Sequence, residues 1–101
     1  MASLYITEYA LMGQTPNAGA QMPQEAPQAE QTVAIGGGST QSAFFQASTR
    51  FVRIHCDSVC SVKFGQNPAA TATSARLAAN QTEYHAVPEG GNFRVAVIAN
   101  V

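Results

Sequence analysis

The stretch from Arg50 to Gly65, RFVRIHCDSVCSVKFG, most constrains what this chain can fold into. Val52, Ile54 and Cys56 alternate with Arg53 and His55; beyond Asp57-Ser58, Cys60, Val62 and Phe64 alternate with Ser61 and Lys63. Successive side chains of a strand point to opposite faces, so strict alternation marks a strand with one buried face and one wet face. Two such runs joined by a short turn read as a β-hairpin. Its expected outward residues are Arg53, His55, Ser61 and Lys63, and its cysteines fall on the inward parity.

The rest of the chain continues in short strands. SLYITEY (3–9) is rich in β-branched and aromatic residues, with Leu4, Ile6 and Glu8 on one parity and Tyr5, Thr7 and Tyr9 on the other. Both parities carry bulk, which fits a strand lying between a sheet and a neighbouring subunit. QTVAI (31–35) and SAFFQ (42–46) read as strands, the second placing Phe44 or Phe45 in the core. The glycines 36–38 between them read as a flexible turn, because no Lys and no helix pattern follow to make a phosphate loop. Residues 66–74 are a loop, 76–79 a short strand or single turn around Leu77, and TEYHAV (82–87) a strand. PEGGN (88–92) is a turn. FRVAVIA (93–99) is apolar on both parities after Arg94, as expected of a central strand covered on both sides.

Residues 13–30, GQTPNAGAQMPQEAPQAE, break this pattern. Pro16, Pro23 and Pro27 oppose both a helix and a central strand, so the segment reads as an extended arm or long loop. Seven or eight short strands with no helix pattern predict a single all-β domain spanning 1–101. The expected architecture is a small antiparallel β-sandwich or barrel, jelly-roll or Ig-like, carrying that N-terminal arm.

The 101 residues hold 11% charged residues, against about 25% in ordinary soluble domains. Ala, Ser, Thr, Gln and Asn take their place. Such surfaces suit packing against neighbours, since no charge has to be desolvated. The five basic residues, Arg50, Arg53, Lys63, Arg76 and Arg94, all lie in the second half and are singly spaced. Isolated cations at a net charge of -1 make no nucleic-acid footprint. MASLYITEYALMGQ lacks the basic residue and unbroken apolar run of a secretory signal, and no stretch approaches the roughly 20 apolar residues of a membrane span. The chain is therefore expected to stay in its compartment of synthesis, with no membrane partner.

The search for chemistry gives no catalytic, cofactor-binding or metal-binding residues. Cys56 and Cys60 form a C-x3-C pair without a second pair, and His55 has the opposite parity. They read as core thiols, with a disulfide across a tight turn also geometrically possible. His55 and His85, the only candidate bases, are expected on outward strand faces. The acids suggest no catalytic pair. Phe51, Phe64 and Phe93 sit in or beside core runs, so they read as packing and not as a stacking platform. The chain is not expected to be an enzyme.

One segment resembles a known module. The run V-R-I-H-x-D-x-x-C-x-V-x-F-G (52–65), then N-P-x-A-T-x-T (67–73), L-x-A-x-Q-x-E-Y (77–84) and V-P-x-G-G-x-x-x-V-x-V-I (87–98), is similar to a β-module of small virion proteins of tailed bacteriophages. The opening L-Y-I-T-E-Y (4–9) is similar too. The resemblance implies a particle-borne β-domain without catalytic function: a capsid decoration (cement) protein bridging major capsid subunits, or a neck, tail or fibre-base component. Its implied partners are the major capsid protein or other virion proteins and further copies of itself, and its implied location is the virion, assembled in the host cytoplasm. A binding module for host glycan or another ligand is the alternative of a different class; it calls for exposed aromatics such as Tyr5, Tyr9 or Tyr84.

Overall fold

The structure is a computed structural model that describes the backbone of residues 2–14, 19–23 and 25–100. The strands are β1 (Ser3–Tyr9), β2 (Met12–Gln14), β3 (Gly19–Pro23), β4 (Ala29–Ala34), β5 (Thr40–Gln41), β6 (Phe51–Cys56), β7 (Cys60–Gly65), β8 (Ala75–Leu77), β9 (Thr82–Ala86) and β10 (Arg94–Ala99). They make two four-stranded antiparallel sheets, ordered β4-β1-β6-β9 and β5-β10-β7-β8, and a separate ribbon β2-β3. The all-β expectation holds, as an antiparallel sandwich.

The expected hairpin is not one. β6 pairs with β1 and β9, and β7 pairs with β10 and β8. The link Asp57–Val59 carries the chain from one sheet to the other. Alternation reports which face of a strand is buried, but a strand beside it and a strand across the core satisfy it equally well. The link is held at the start of β1: Ser3 N donates to Asp57 Oδ1 at 2.6 Å, and Asp57 N donates to Ser3 O at 3.2 Å.

Register builds the core. Leu4 stands opposite both Val33 and Cys56, and Ile6 opposite Ile54. From the second sheet come Cys60 opposite Leu77 and Ala99, and Val62 opposite Val97. Leu4, Val52, Ile54, Cys56, Cys60, Leu77, Val95 and Val97 are fully buried. At one end of the core the buried Glu8 carboxylate accepts from Gln46 N and Thr49 Oγ1, both at 2.8 Å, which satisfies a polar group that burial would otherwise penalise.

β10 is the doubly covered strand expected. Its outer side is roofed by residues 66–74, where Gln41 Nε2 donates to Pro68 O and Ala70 N donates to Ser39 Oγ. The roof buries Ala96 and also Ser61, which was expected in solvent; Asn100 Nδ2 donates to Ser61 Oγ at 2.7 Å. SAFFQ forms no strand. It follows β10 with two widely spaced backbone bonds, Ser42 N to Val95 O and Phe45 N to Phe93 O, and the regular pairing falls earlier, on Thr40–Gln41. Phe45 is buried; Phe44 is exposed, with the Arg94 guanidinium 4.0 Å over its ring. At the 88–92 turn Gly91 has φ 74°, and a Cβ there would press on Ala47 at 3.4 Å.

Described residues of the 13–30 segment form strands despite its prolines. β2 and β3 pair with each other, Met12 opposite Pro23, and join neither sheet. A proline at a strand end facing no further partner leaves no ladder bond unmade. β4 then begins at Ala29, inside the expected arm. Residues 15–18 and Gln24 of the arm lie outside the described residues.

Ile54, at the centre of the core, is expected to lose about 2–5 kcal/mol of stability on Ile54→Ala. Tyr84→Ala, on the exposed face of β9, is expected to change it by about 0.5 kcal/mol or less. Urea unfolding of the two variants checks the contrast.

Candidate interaction surfaces

The face of the first sheet turned away from the core carries one row per register position. Thr32, Tyr5, His55 and Thr82 form one row; Glu30, Thr7, Arg53 and Tyr84 the next; Tyr9, Phe51 and Ala86 a third. Tyr5 and Tyr84 are 44% and 54% exposed, which makes this a ring-bearing platform and not a second core. His55 Nδ1 lies 2.7 Å from Thr82 Oγ1, and the Tyr5 ring is tilted over His55 with centroids 6.4 Å apart. Phe51 belongs here and not in the core: it stacks on Tyr9 at 5.3 Å. Aromatics and a cation are therefore interleaved on one face. The sequence concealed this because the rows cross three strands that are far apart in the chain.

One end of the platform is closed by the chain after the ribbon. Tyr9 is only 5% exposed, and its hydroxyl donates to Glu25 Oε2 at 2.9 Å. Burial, and then the Glu25 carboxylate, push the Tyr9 phenol up to about 12. At the root of the ribbon Leu11 and Met12 are 52% and 45% exposed.

The outward residues of the supposed hairpin are divided by the crossover. Arg53 and His55 lie on the platform; Lys63 lies on the opposite sheet and Ser61 under its roof. His85 was expected outward, yet it shares the parity of the buried Val87. It stands at the open flank of the core, ring to ring with Phe64 at 4.9 Å, and its Nε2 is 3.0 Å from Glu83 Oε1. A groove of about 440 Å3 opens there, between Phe64 and His85 on one side and Thr71, Thr73 and Ser74 on the other.

Cys56 and Cys60 are free, buried thiols of the core, and Cys56 Sγ donates to Ala78 O at 3.0 Å. Burial, and then the neighbouring Cys56, push the Cys60 thiol up to about 12, so it is protonated and unreactive at neutral pH. Among the described residues no group of three or more His, Cys, Asp or Glu could hold a metal ion, and no helix is long and apolar enough to cross a membrane. The groups that remain accessible can stack on rings, exchange hydrogen bonds and pair with charges. Comparison with protein-family models, with curated proteins and with solved structures finds no match.

Folding raises the Tyr9 phenol above its ordinary value of 10.0, so the folded chain favours the protonated form. That contribution to stability is whole below pH 10 and is lost as pH rises towards 12. Near-ultraviolet absorbance should show one tyrosine ionising near pH 12, and Tyr9→Phe should remove that step. Iodoacetamide at pH 8 should label neither cysteine in the folded chain and both in urea, read by intact mass.

Proposed function

We propose that the chain is a structural subunit of a tailed-bacteriophage virion, a capsid decoration protein that binds in many copies across joints between major capsid subunits. The observation that carries this reading is the placing of its exposed apolar side chains. Tyr5 and Tyr84 stand on the platform, while Leu11 and Met12 stand at the root of a ribbon that pairs with neither sheet. With Phe44 exposed beside β10 as well, exposed apolar groups at separate places on a weakly charged body suit a subunit that contacts more than one neighbour. The resemblance read from the motifs of residues 52–98 to small virion proteins is the second ground for this reading.

The mechanism is burial. A standard interface of about 1,600 Å2, at roughly 25 cal/mol per Å2 of apolar area, makes each contact modest, and symmetric repetition across a shell adds the contacts by avidity. Quantitative mass spectrometry of purified particles should find on the order of hundreds of copies per particle. About a dozen copies would instead assign the chain to the neck, tail or fibre base, and its absence from particles would end the reading.

The platform also favours a second reading, a module for host glycan, because Tyr5 and Tyr84 offer ring faces beside the hydrogen-bonding groups of Arg53, His55 and Thr82. Glycan-array binding by the isolated chain that Tyr84→Ala abolishes would select it.

A further inference from the structure

We propose that the groove at the open flank receives an extended peptide, added as a strand to the free edge of β7, with apolar and acidic side chains in alternation. The inference deepens the reading of the chain as a subunit that docks on other proteins, and rests on it for the source of the peptide.

The free edge follows from the pairing. Asn100 N donates to Val59 O, and Ser42 N donates to Val95 O on the far side of β10. In an antiparallel ladder successive residues turn their N–H and C=O to opposite neighbours. Ser61, Lys63 and Gly65 therefore bond to β10, and Cys60, Val62 and Phe64 turn theirs towards β8. The partnership with β8 stops at Val62 opposite Ala75. Beyond that point the chain curls away, with Ser74 N donating to Thr71 O and Thr71 N to Ser74 Oγ. The Phe64 N–H and C=O are left facing the groove with no strand beside them. An unpaired strand edge next to a pocket is the arrangement that strand addition uses.

Parity states what the peptide must carry. The residue placed opposite Phe64 has its side chain on the inward face, against the Phe64 and His85 rings. Glu83 stands on that face too, hydrogen-bonded to His85, so an apolar side chain fits and an acid does not. The residues on either side of it fall opposite Lys63 and Gly65 and point outward, on the face that Lys63 shares with Arg76, which stands opposite Ser61 two positions further along. Neither of these cations has an ion-pair partner among the described residues. An acidic side chain opposite Lys63 complements it, with Arg76 next along the same face, and the alternation places a second acid opposite Gly65, diagonal to Lys63.

The test uses the full chain, labelled for amide hydrogen exchange by nuclear magnetic resonance, and capped octapeptides alternating valine with glutamate or valine with lysine. The valine–glutamate peptide should slow exchange at the Phe64 amide, and the valine–lysine peptide should not. Lys63→Glu, an exposed substitution, should weaken the first peptide by about fivefold. Failure of both peptides to protect Phe64, equal protection by both, or indifference to Lys63→Glu overturns the proposal. Protection that rises with the chain's own concentration, without peptide, assigns the edge to a second copy and overturns it too. Hundreds of copies in particles alongside an unprotected Phe64 would sink this inference and leave the decoration reading standing; protection together with absence from particles would do the reverse.

Discussion

The fold depends on one contact, the apolar seam between the two sheets that the β6–β7 crossover closes. Ile54 and Cys56 come from one side of it, and Cys60 and Val62 from the other. Among the described residues no strand of one sheet pairs with a strand of the other, so side-chain burial does most of the joining. At roughly 1.5–3 kcal/mol for each fully buried large apolar side chain, the buried residues of the cluster are the main source of cohesion. The short link between β6 and β7 makes the contact local in sequence. It ties the middle of one sheet to the middle of the other, because β6 lies between β1 and β9, and β7 between β10 and β8.

Strand positions and faces were largely legible in the sequence, and partners were not. The period-two pattern of 52–64 correctly assigned Val52, Ile54, Cys56, Cys60 and Val62 to the core. It was silent on whether β6 and β7 lie side by side or face to face, since both arrangements bury the same parity. The same blindness misplaced Ser61, whose parity points away from the seam but under a roof built from residues 66–74, and His85, whose parity points to the seam at its unfilled edge. SAFFQ carries strand-forming residues, yet Phe45 must fill the core while Phe44 lies under Arg94, and two widely spaced bonds to β10 suffice for that.

The arm illustrates a different limit. Proline removes a donor, and a long Pro-rich segment argues against a strand that needs partners on both sides. A two-stranded ribbon needs a partner on one side only, so Pro23 at the end of β3 is compatible with pairing to Met12. The platform escaped notice for yet another reason. Tyr5, Arg53, His55 and Tyr84 come from β1, β6 and β9, and they meet only once the register is known.

Register also couples the surface to the core. On β1 and β6 the residues between the buried ones are the residues of the platform. A slip of one position would send Tyr5 and Arg53 inward and Leu4 and Ile54 out to solvent. Such a slip would bury a cation and a phenol among aliphatic side chains, so the core holds the platform in place as firmly as it holds itself. The groove has no such protection. Its edge is open because β8 stops short, and its Lys63 is exposed. The platform is thus suited to a partner of matching shape. The flank can admit a chain that brings its own backbone bonds, and on the proposed reading the subunit would have one rigid contact and one that forms only when a neighbour supplies the missing strand.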